Sequence, residues 1–364
     1  MAENKDKGML VYVGTYTRGK SEGIYVYRLD PSSGALERAG RPARADNPAF
    51  LDIAPDRRHL YAVNELQEFE GKPGGAVSAF SIEPKTWELT FLNRQPSNGT
   101  YPCHLSVDRT GRFVLLANYG SGTVTILPIR EDGELGEPAQ TIQHEGKSAH
   151  PRRQQAPHAH SILIDPANRY AFAPDLGVDR VFIYRLDLGN GKLIPNDQPW
   201  VQVHPGAGPR HFEFHPRLKY AFVINEIDST LTAFTYDAGK GGLKEIQTVN
   251  TLPEDFDGDS NCADVHVAPS GKFLYGSNRG HDSIVIYAID ENTGELTLVG
   301  HEPTQGKNPR NFAIDPTGTF LLAANGHTDN IVTFRIDPHT GKLKPTGHAV
   351  EVPAPVCLKV MPLS

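Results

Sequence analysis

One phrase recurs through this chain about every 50 residues: a Pro, a short apolar run, an Asp-Pro-like turn, then a second apolar run ending in Asn and a polar residue. The middle of the phrase reads IAPDRRHLYAVNE from Ile53, VDRTGRFVLLANY from Val107, IDPANRYAFAPDL from Ile164, FHPRLKYAFVINE from Phe214, VAPSGKFLYGSNR from Val267 and IDPTGTFLLAANG from Ile314, at intervals of 54, 57, 50, 53 and 47 residues. A period of this length, built from short β-type runs and Gly, Pro and Asp turns, suits one blade of a β-propeller. A lone four-stranded sheet cannot bury both faces and must stack on its neighbours.

A second repeat runs out of phase with the first: DPSSGAL from Asp30, EPKTWEL from Glu83, EDGEL from Glu131, DLGNGKL from Asp187, DAGKGGL from Asp237, DENTGEL from Asp290 and DPHTGKL from Asp337. In each of these seven copies a turn-forming cluster separates two alternating strands. The seventh copy of the first phrase is split between the chain ends. PVCLKVMP from Pro355 matches PRNFAIDP from Pro309, and LVYVGTY from Leu10 matches LYAVNEL from Leu60. The chain is therefore expected to form an all-β, seven-bladed propeller whose N- and C-terminal strands share one blade, which leaves no open sheet edge. We expect one propeller domain over residues 9–364 and a disordered tail over 1–8.

Gly 35 and Pro 29 suit a chain with many tight turns. The start MAENKDKGML has no apolar h-region and no membrane span is visible, so a cytoplasmic location is expected. Cys103, Cys262 and Cys357 are an odd, sparse set and read as reduced core thiols at the starts of innermost strands. A net charge of −7 without a basic stripe argues against a nucleic-acid partner. No membrane partner is expected either, and the chain reads as a monomer or weak oligomer.

The repeat also serves as a ruler. With the innermost strand of each blade called A and the next B, the start of A and the end of B lie on one rim. The start of A carries Ala49, Cys103, His160, Arg210, Ala263, Arg310 and Val356, followed by Phe50, His104, Ser161, His211, Asp264, Asn311 and Cys357. The end of B is aligned as Thr15, Glu65, Tyr119, Asp175, Glu226, Arg279 and Gly326. A repeat serving structure alone would hold similar residues at equivalent places, whereas these diversify into His, Arg, Asp and Glu. They converge on the mouth of one central funnel. The longest polar insertion, HEGKSAHPRRQQAPHAH from His144 to His160, faces the same rim and offers Arg152 or Arg153.

Arg210, Arg279 and Arg310 give the mouth a cationic bias suited to carboxylate or phosphate, which the guanidinium fork binds in a bidentate way. The competing reading pairs each Arg with an acid of a neighbouring blade, such as Arg210 with Glu226 or Arg279 with Asp264. His160 is the acid–base candidate because imidazole titrates near neutrality, with a buried structural role as its alternative. Glu226 could orient His160 or take a proton from water. His104, His211, Asp175, Asp264 and Asn311 complete the candidate substrate-binding set, and His104, His211 and Arg310 could hold a phosphate. DFDGDSN from Asp255 has its Gly misplaced for an EF-hand and reads as a turn, as does NYGSG from Asn118, so neither a metal nor a cofactor is expected.

Taken together, VYVGTYT, PCHLSVDRTGRFVLLANYGSGTV, PHAHS, GPRHFEFHP, VINE and SNRGHDSI resemble the β-propeller lactonase family of bacterial 6-phosphogluconolactonases and fungal carboxy-muconate cyclases, over essentially the full chain. The resemblance implies metal-free hydrolysis of an anionic sugar lactone, first of all 6-phospho-D-glucono-1,5-lactone. It places His160, Arg210, Glu226 and Arg279 at the catalytic positions, and we expect His160, helped by Glu226, to activate water while Arg210 and Arg279 stabilise the developing oxyanion or hold the substrate's anionic group. A lactonase or cyclo-isomerase for another carboxylated lactone and a non-catalytic binding propeller stay open as alternatives.

Overall fold

The computed structural model describes residues 8–363 and contains no helix among them. Apart from a small two-stranded sheet, Glu68–Phe69 with Lys72–Pro73, its strands form seven sheets of antiparallel neighbours arranged as the blades of a propeller. Six blades run A to D in chain order from the axis outward. Blade one comprises Leu51–Ile53, His59–Asn64, Ala76–Ile82 and Leu89–Pro96, and blade two Pro102–Val107, Phe113–Asn118, Thr123–Pro128 and Gln140–Gln143. Blade three is Leu163–Ile164, Tyr170–Asp175, Arg180–Asp187 and Lys192–Gln202, and blade four Pro209–Phe214, Tyr220–Asn225, Thr230–Asp237 and Gly242–Asn250. Blade five is Asn261–Val267, Phe273–Arg279, Ser283–Ile289 and Leu296–Pro303, and blade six Pro309–Ile314, Phe320–Asn325, Asn330–Ile336 and Leu343–Glu351.

Blade seven closes the ring. Its A strand, Pro355–Pro362, is the last of the chain, and its B, C and D strands, Met9–Thr15, Gly23–Leu29 and Leu36–Arg38, are the first. Met9 lies opposite Pro362 and Val13 opposite Leu358. Of the tail expected over 1–8, residues 1–7 lie outside the described residues. Gly8 is buried and its carbonyl accepts the Leu363 N–H.

The two repeats have separate structural jobs. The Asp of the out-of-phase repeat caps the C–D hairpin by accepting backbone N–H groups, as Asp30 does from Ser32 and Ser33 and Asp337 from His339 and Thr340. In three blades the Asn that ends strand B reaches back to the preceding blade. Asn118, Asn278 and Asn325 donate from Nδ2 to the carbonyls of Ser97, Thr251 and Thr304, each the residue after that blade's outermost strand.

A third feature is periodic as well. Pro102, Pro209 and Pro309 pair with Asn118, Asn225 and Asn325, yet the next pairs are His104 with Ala117, His211 with Ile224 and Asn311 with Ala324. Two residues on A therefore oppose one on B, and Cys103, Arg210 and Arg310 are the extra residues of these bulges. A bulge frees its residue from the ladder and re-aims the side chain, a device common beside active sites. The same step recurs in blade seven at Val356.

Candidate active site

Four guanidinium groups and two carboxylates meet at the rim where strands A begin and strands B end. Glu226, just past strand B of blade four, is buried and receives three of the four. Arg210 Nε donates to its Oε2 at 2.9 Å, Arg279 Nη2 lies 2.9 Å from the same oxygen, and Arg153 Nη2 donates to Oε1. Burial alone would raise the Glu226 carboxyl, but Arg279, Arg210, His160 and Arg153 together hold it well below the usual range. Glu226 is thus an anion that gathers three guanidiniums, Arg210 and Arg279 at Oε2 and Arg153 at Oε1.

The guanidiniums differ in how tightly they are tied. Arg210, 1 % exposed, also donates from Nη1 to the Ala263 carbonyl. Burial, together with Arg310 and Arg279, lowers its pKa to about 10. Arg279 is braced by Nη2 on the Cys262 carbonyl at 2.7 Å. Arg310 is the loosest: its Nη2 is 3.8 Å from Glu65 Oε2 and its guanidinium carbon sits 5.6 Å from the centre of the Tyr16 ring. The Tyr16 hydroxyl donates to Glu65 at 2.9 Å. Burial raises the Glu65 carboxyl, with Arg310 opposing. Four cations against two carboxylates leave a positive surplus in a largely buried setting, an arrangement that favours an anion.

His160 Nε2 is 3.7 Å from Glu226 Oε2, and Nδ1 is 3.7 Å from the Cys103 sulfur. Its ring lies edge-on to Tyr119 at 5.3 Å and to His211 at 5.7 Å. Burial and then Arg210 push it well below the ordinary imidazole value, so it is neutral at pH 7. One step further along strand A sits a second layer. His211 donates from Nδ1 to Asp264 Oδ1 at 2.7 Å, and His104 packs 4.0 Å from Phe50 and 5.4 Å from His211.

The structure brings together His160, Glu226, Arg210, Arg279 and Arg310 as the repeat ruler placed them, with His104, His211, Asp264 and Asn311 one layer deeper. Three assignments need correction. Asp175 is outside the mouth: it pairs with Arg180 as Asn225 pairs with Thr230, so it is the blade-three counterpart of the structural Asn. Its carboxylate holds His144 Nδ1 at 2.7 Å and the N–H groups of His158 and Gly177, anchoring the insertion loop. Asp264 and Asn311 are spent on protein partners. Asp264 receives His211, Asn311 Nδ2 and His266, while Asn311 Oδ1 accepts the Leu358 N–H. They position neighbours from other strands.

A matching one-residue slip at Thr15 hid a residue of the mouth. Thr15 pairs with Pro355 at the Asn position, so the true member of that ring is Tyr16, and Leu176 takes the place given to Asp175. Reading GTY in register with ANY would have found Tyr16. Arg153, offered only as one of a pair, is singled out by the loop: Asp179, accepting from Gln154 and Ser148, pins the segment on either side of it. All three cysteines are free and buried. No cluster of three or more His, Cys, Asp or Glu arranged to hold a metal ion occurs among the described residues.

A seven-bladed β-propeller is the architecture of one lactonase family. The model of the lactonase family described as a seven-bladed β-propeller matches residues 10–360, and the chain belongs to that family. Among its relatives, the 6-phosphogluconolactonase of Bacillus subtilis strain 168 is 41 % identical over 350 residues, 96 % of this chain and 97 % of that protein. The 6-phosphogluconolactonase of Formosa agariphila is 36 % identical, covering 84 % of this chain and 86 % of its own. Of solved structures, the periplasmic gluconolactonase of Pseudomonas aeruginosa superposes with a TM-score of 0.92 at 34 % identity, over 98 % of this chain and all of that one.

Proposed function

We propose that this lactonase hydrolyses an anionic sugar δ-lactone, with 6-phospho-D-glucono-1,5-lactone as the leading substrate. The observation that carries this reading is the surplus of guanidinium charge around Glu226 beside neutral imidazoles in the propeller mouth. Arg310, held by one long ion pair and the face of the Tyr16 ring, has its N–H fork open to take the substrate's phosphate or carboxylate in a bidentate grip. Arg210 and Arg279, braced on backbone carbonyls, are rigid enough to meet charge that grows on the carbonyl oxygen. His160, its ring 3.7 Å from Glu226, lies beside the same space, and a neutral imidazole there accepts the proton of the attacking water. Lactones are reactive esters, so positioning and charge stabilisation suffice without a covalent nucleophile.

The 6-phosphogluconolactonase relatives support the phosphorylated substrate; the gluconolactonase neighbour supports an unphosphorylated one. Three free thiols fit a reducing compartment, and we place the protein in the cytoplasm. The test is a hydrolysis screen of purified protein against phosphorylated and unphosphorylated aldonolactones and carboxylated lactones, with and without a chelator. The expected result is fastest opening of the phosphorylated δ-lactone, unchanged by EDTA. Preference for an uncharged lactone, or a rate that calcium restores after chelation, overturns the assignment.

A further inference from the structure

His211 carries an arrangement that the mouth residues lack. Its ring, from blade four, lies within 5.4 to 5.9 Å of the rings of Phe50, His104 and His160 of blades one, two and three, and bonds to Asp264 of blade five. It therefore reaches the channel axis directly beneath the guanidinium layer. Asp264 is an anchored carboxylate: the imidazole of His266, the Asn311 amide and the Phe312 N–H all donate to it. A carboxylate 2.7 Å from Nδ1 fixes the proton there and leaves the lone pair on Nε2, which no described protein group occupies. His104 is the reverse. Its Nδ1 accepts the Ile162 N–H at 3.3 Å, so its Nε2 carries the hydrogen, again with no protein partner. By contrast, both ring nitrogens of His160 face protein groups, the Glu226 carboxylate and the Cys103 sulfur.

We propose that His211, held in its basic tautomer by Asp264, is the catalytic group that takes the proton of the attacking water, and that His104 presents a ring N–H to the same space. The proposal rests on the lactonase reading above. Water loses a proton to His211 Nε2 as its oxygen bonds the lactone carbonyl carbon and the carbonyl electron pair moves onto oxygen. Collapse breaks the ring C–O bond, and the departing alkoxide takes the proton back from His211. The new carboxylic acid releases one proton to solvent, so one water is consumed and His211 ends neutral. The arrangement of nucleophile, base and orienting carboxylate is the general logic of activated nucleophiles, here with water in place of a side chain. The charged and titratable groups facing His211 are Asp264, Arg210, Arg310, His104 and His160. Burial and Arg210 keep it neutral.

The experiment uses the full-length protein and the δ-lactone it opens fastest. His211→Ala is expected to lower kcat by about 100-fold or more with KM within about threefold, the range for losing a general base. Added imidazole is expected to restore rate in proportion to its free-base concentration, above its uncatalysed effect on the lactone. Asp264→Asn is expected to lower kcat comparably, because an amide N–H facing Nδ1 reverses the tautomer. A His211→Ala protein that melts like wild type yet keeps kcat within about threefold, changes KM alone, or gains nothing from imidazole overturns the assignment to His211. Wild-type protein inert to every lactone overturns the lactonase reading instead.

Discussion

Arg310 and the pair Arg210 and Arg279 share one chemistry but differ in what holds them, and this should separate their kinetic roles. Arg310→Ala is expected to raise KM for a phosphorylated lactone, with kcat little changed and with no effect on the unphosphorylated one, because that contact is equal in ground and transition states. Arg210→Ala or Arg279→Ala should lower kcat on both, by about 10² to 10³ for a lost oxyanion donor. Steady-state kinetics on the two substrates decides it, and equal losses for all three variants would leave only a generally cationic pocket. A second residue-scale outcome concerns pH. His104, His160 and His211 all have folded pKa values below the ordinary 6.5, chiefly through burial, with His211 at about 4. Between these values the unfolded chain binds more protons, so stability is present in full above about 6.5 and declines as pH falls toward 4. His266, raised to about 10 against its burial by Asp264 and Glu213, adds stability that is complete below 6.5 and does not offset that decline. Melting temperatures read from pH 8 to 5 should start to drop near 6.5; a flat profile to pH 5 contradicts neutral burial of the three rings.

Between elements, the hairpin turns reveal a size exchange that keeps the blades in register. Gly133, Gly191, Gly241, Gly294, Gly341 and Gly34 each present bare backbone to the ring at the start of strand B in the preceding blade, namely His59, Phe113, Tyr170, Tyr220, Phe273 and Phe320. A Cβ on Gly341 would come within 2.4 Å of the Phe273 ring, and its φ of 71° is left-handed. Gly341→Ala is therefore expected to destabilise by about 1–3 kcal/mol through overpacking, measurable by denaturant titration; an unchanged midpoint would show that the blades can slide apart. At the ring closure the exchange is inverted. The strand-B position holds Leu10, smaller than any of those rings, and the turn position holds Trp87, which adopts φ 60° and packs against the same core cluster as Leu10. This explains why EPKTWEL alone among the seven turn copies lacks its glycine.

At the scale of the whole ring, stability hangs on the last strand. Pro355–Pro362 pairs with Met9–Thr15, and its side chains contribute to two core clusters: Val356, Cys357 and Met361 to the one shared with blade one, Leu358 to the one shared with blade six. Truncation after Ala354 removes the closing strand, exposes both flanking faces and leaves an unpaired edge along Met9–Thr15. The expected outcome is loss of cooperative unfolding and aggregation on expression, followed by thermal melting and size-exclusion chromatography. A soluble truncated chain with a sharp melt would mean that six blades suffice.

The sequence alone determined the blade count, the closure and the rim of the site, because a propeller repeats one local pattern and departures from it at His160, Arg210, Glu226 and Arg279 stand out against the repeats. A one-residue slip in aligning the ends of two strands B drew Asp175 into the mouth and left Tyr16 out, although the even spacing from Ile53 to Asn64 and from Ile164 to Asp175 sets Asp175 at the Asn position. Only the tertiary structure decided how the polar groups divide their tasks. That division depends on contacts between residues about 16 to 73 positions apart: Arg153, Arg210 and Arg279 pair with Glu226, and His211 bonds to Asp264. Residue type announces that an imidazole or a guanidinium is present. Which of its atoms is already bound, and so what it can still offer a substrate, is set by neighbours that other blades supply.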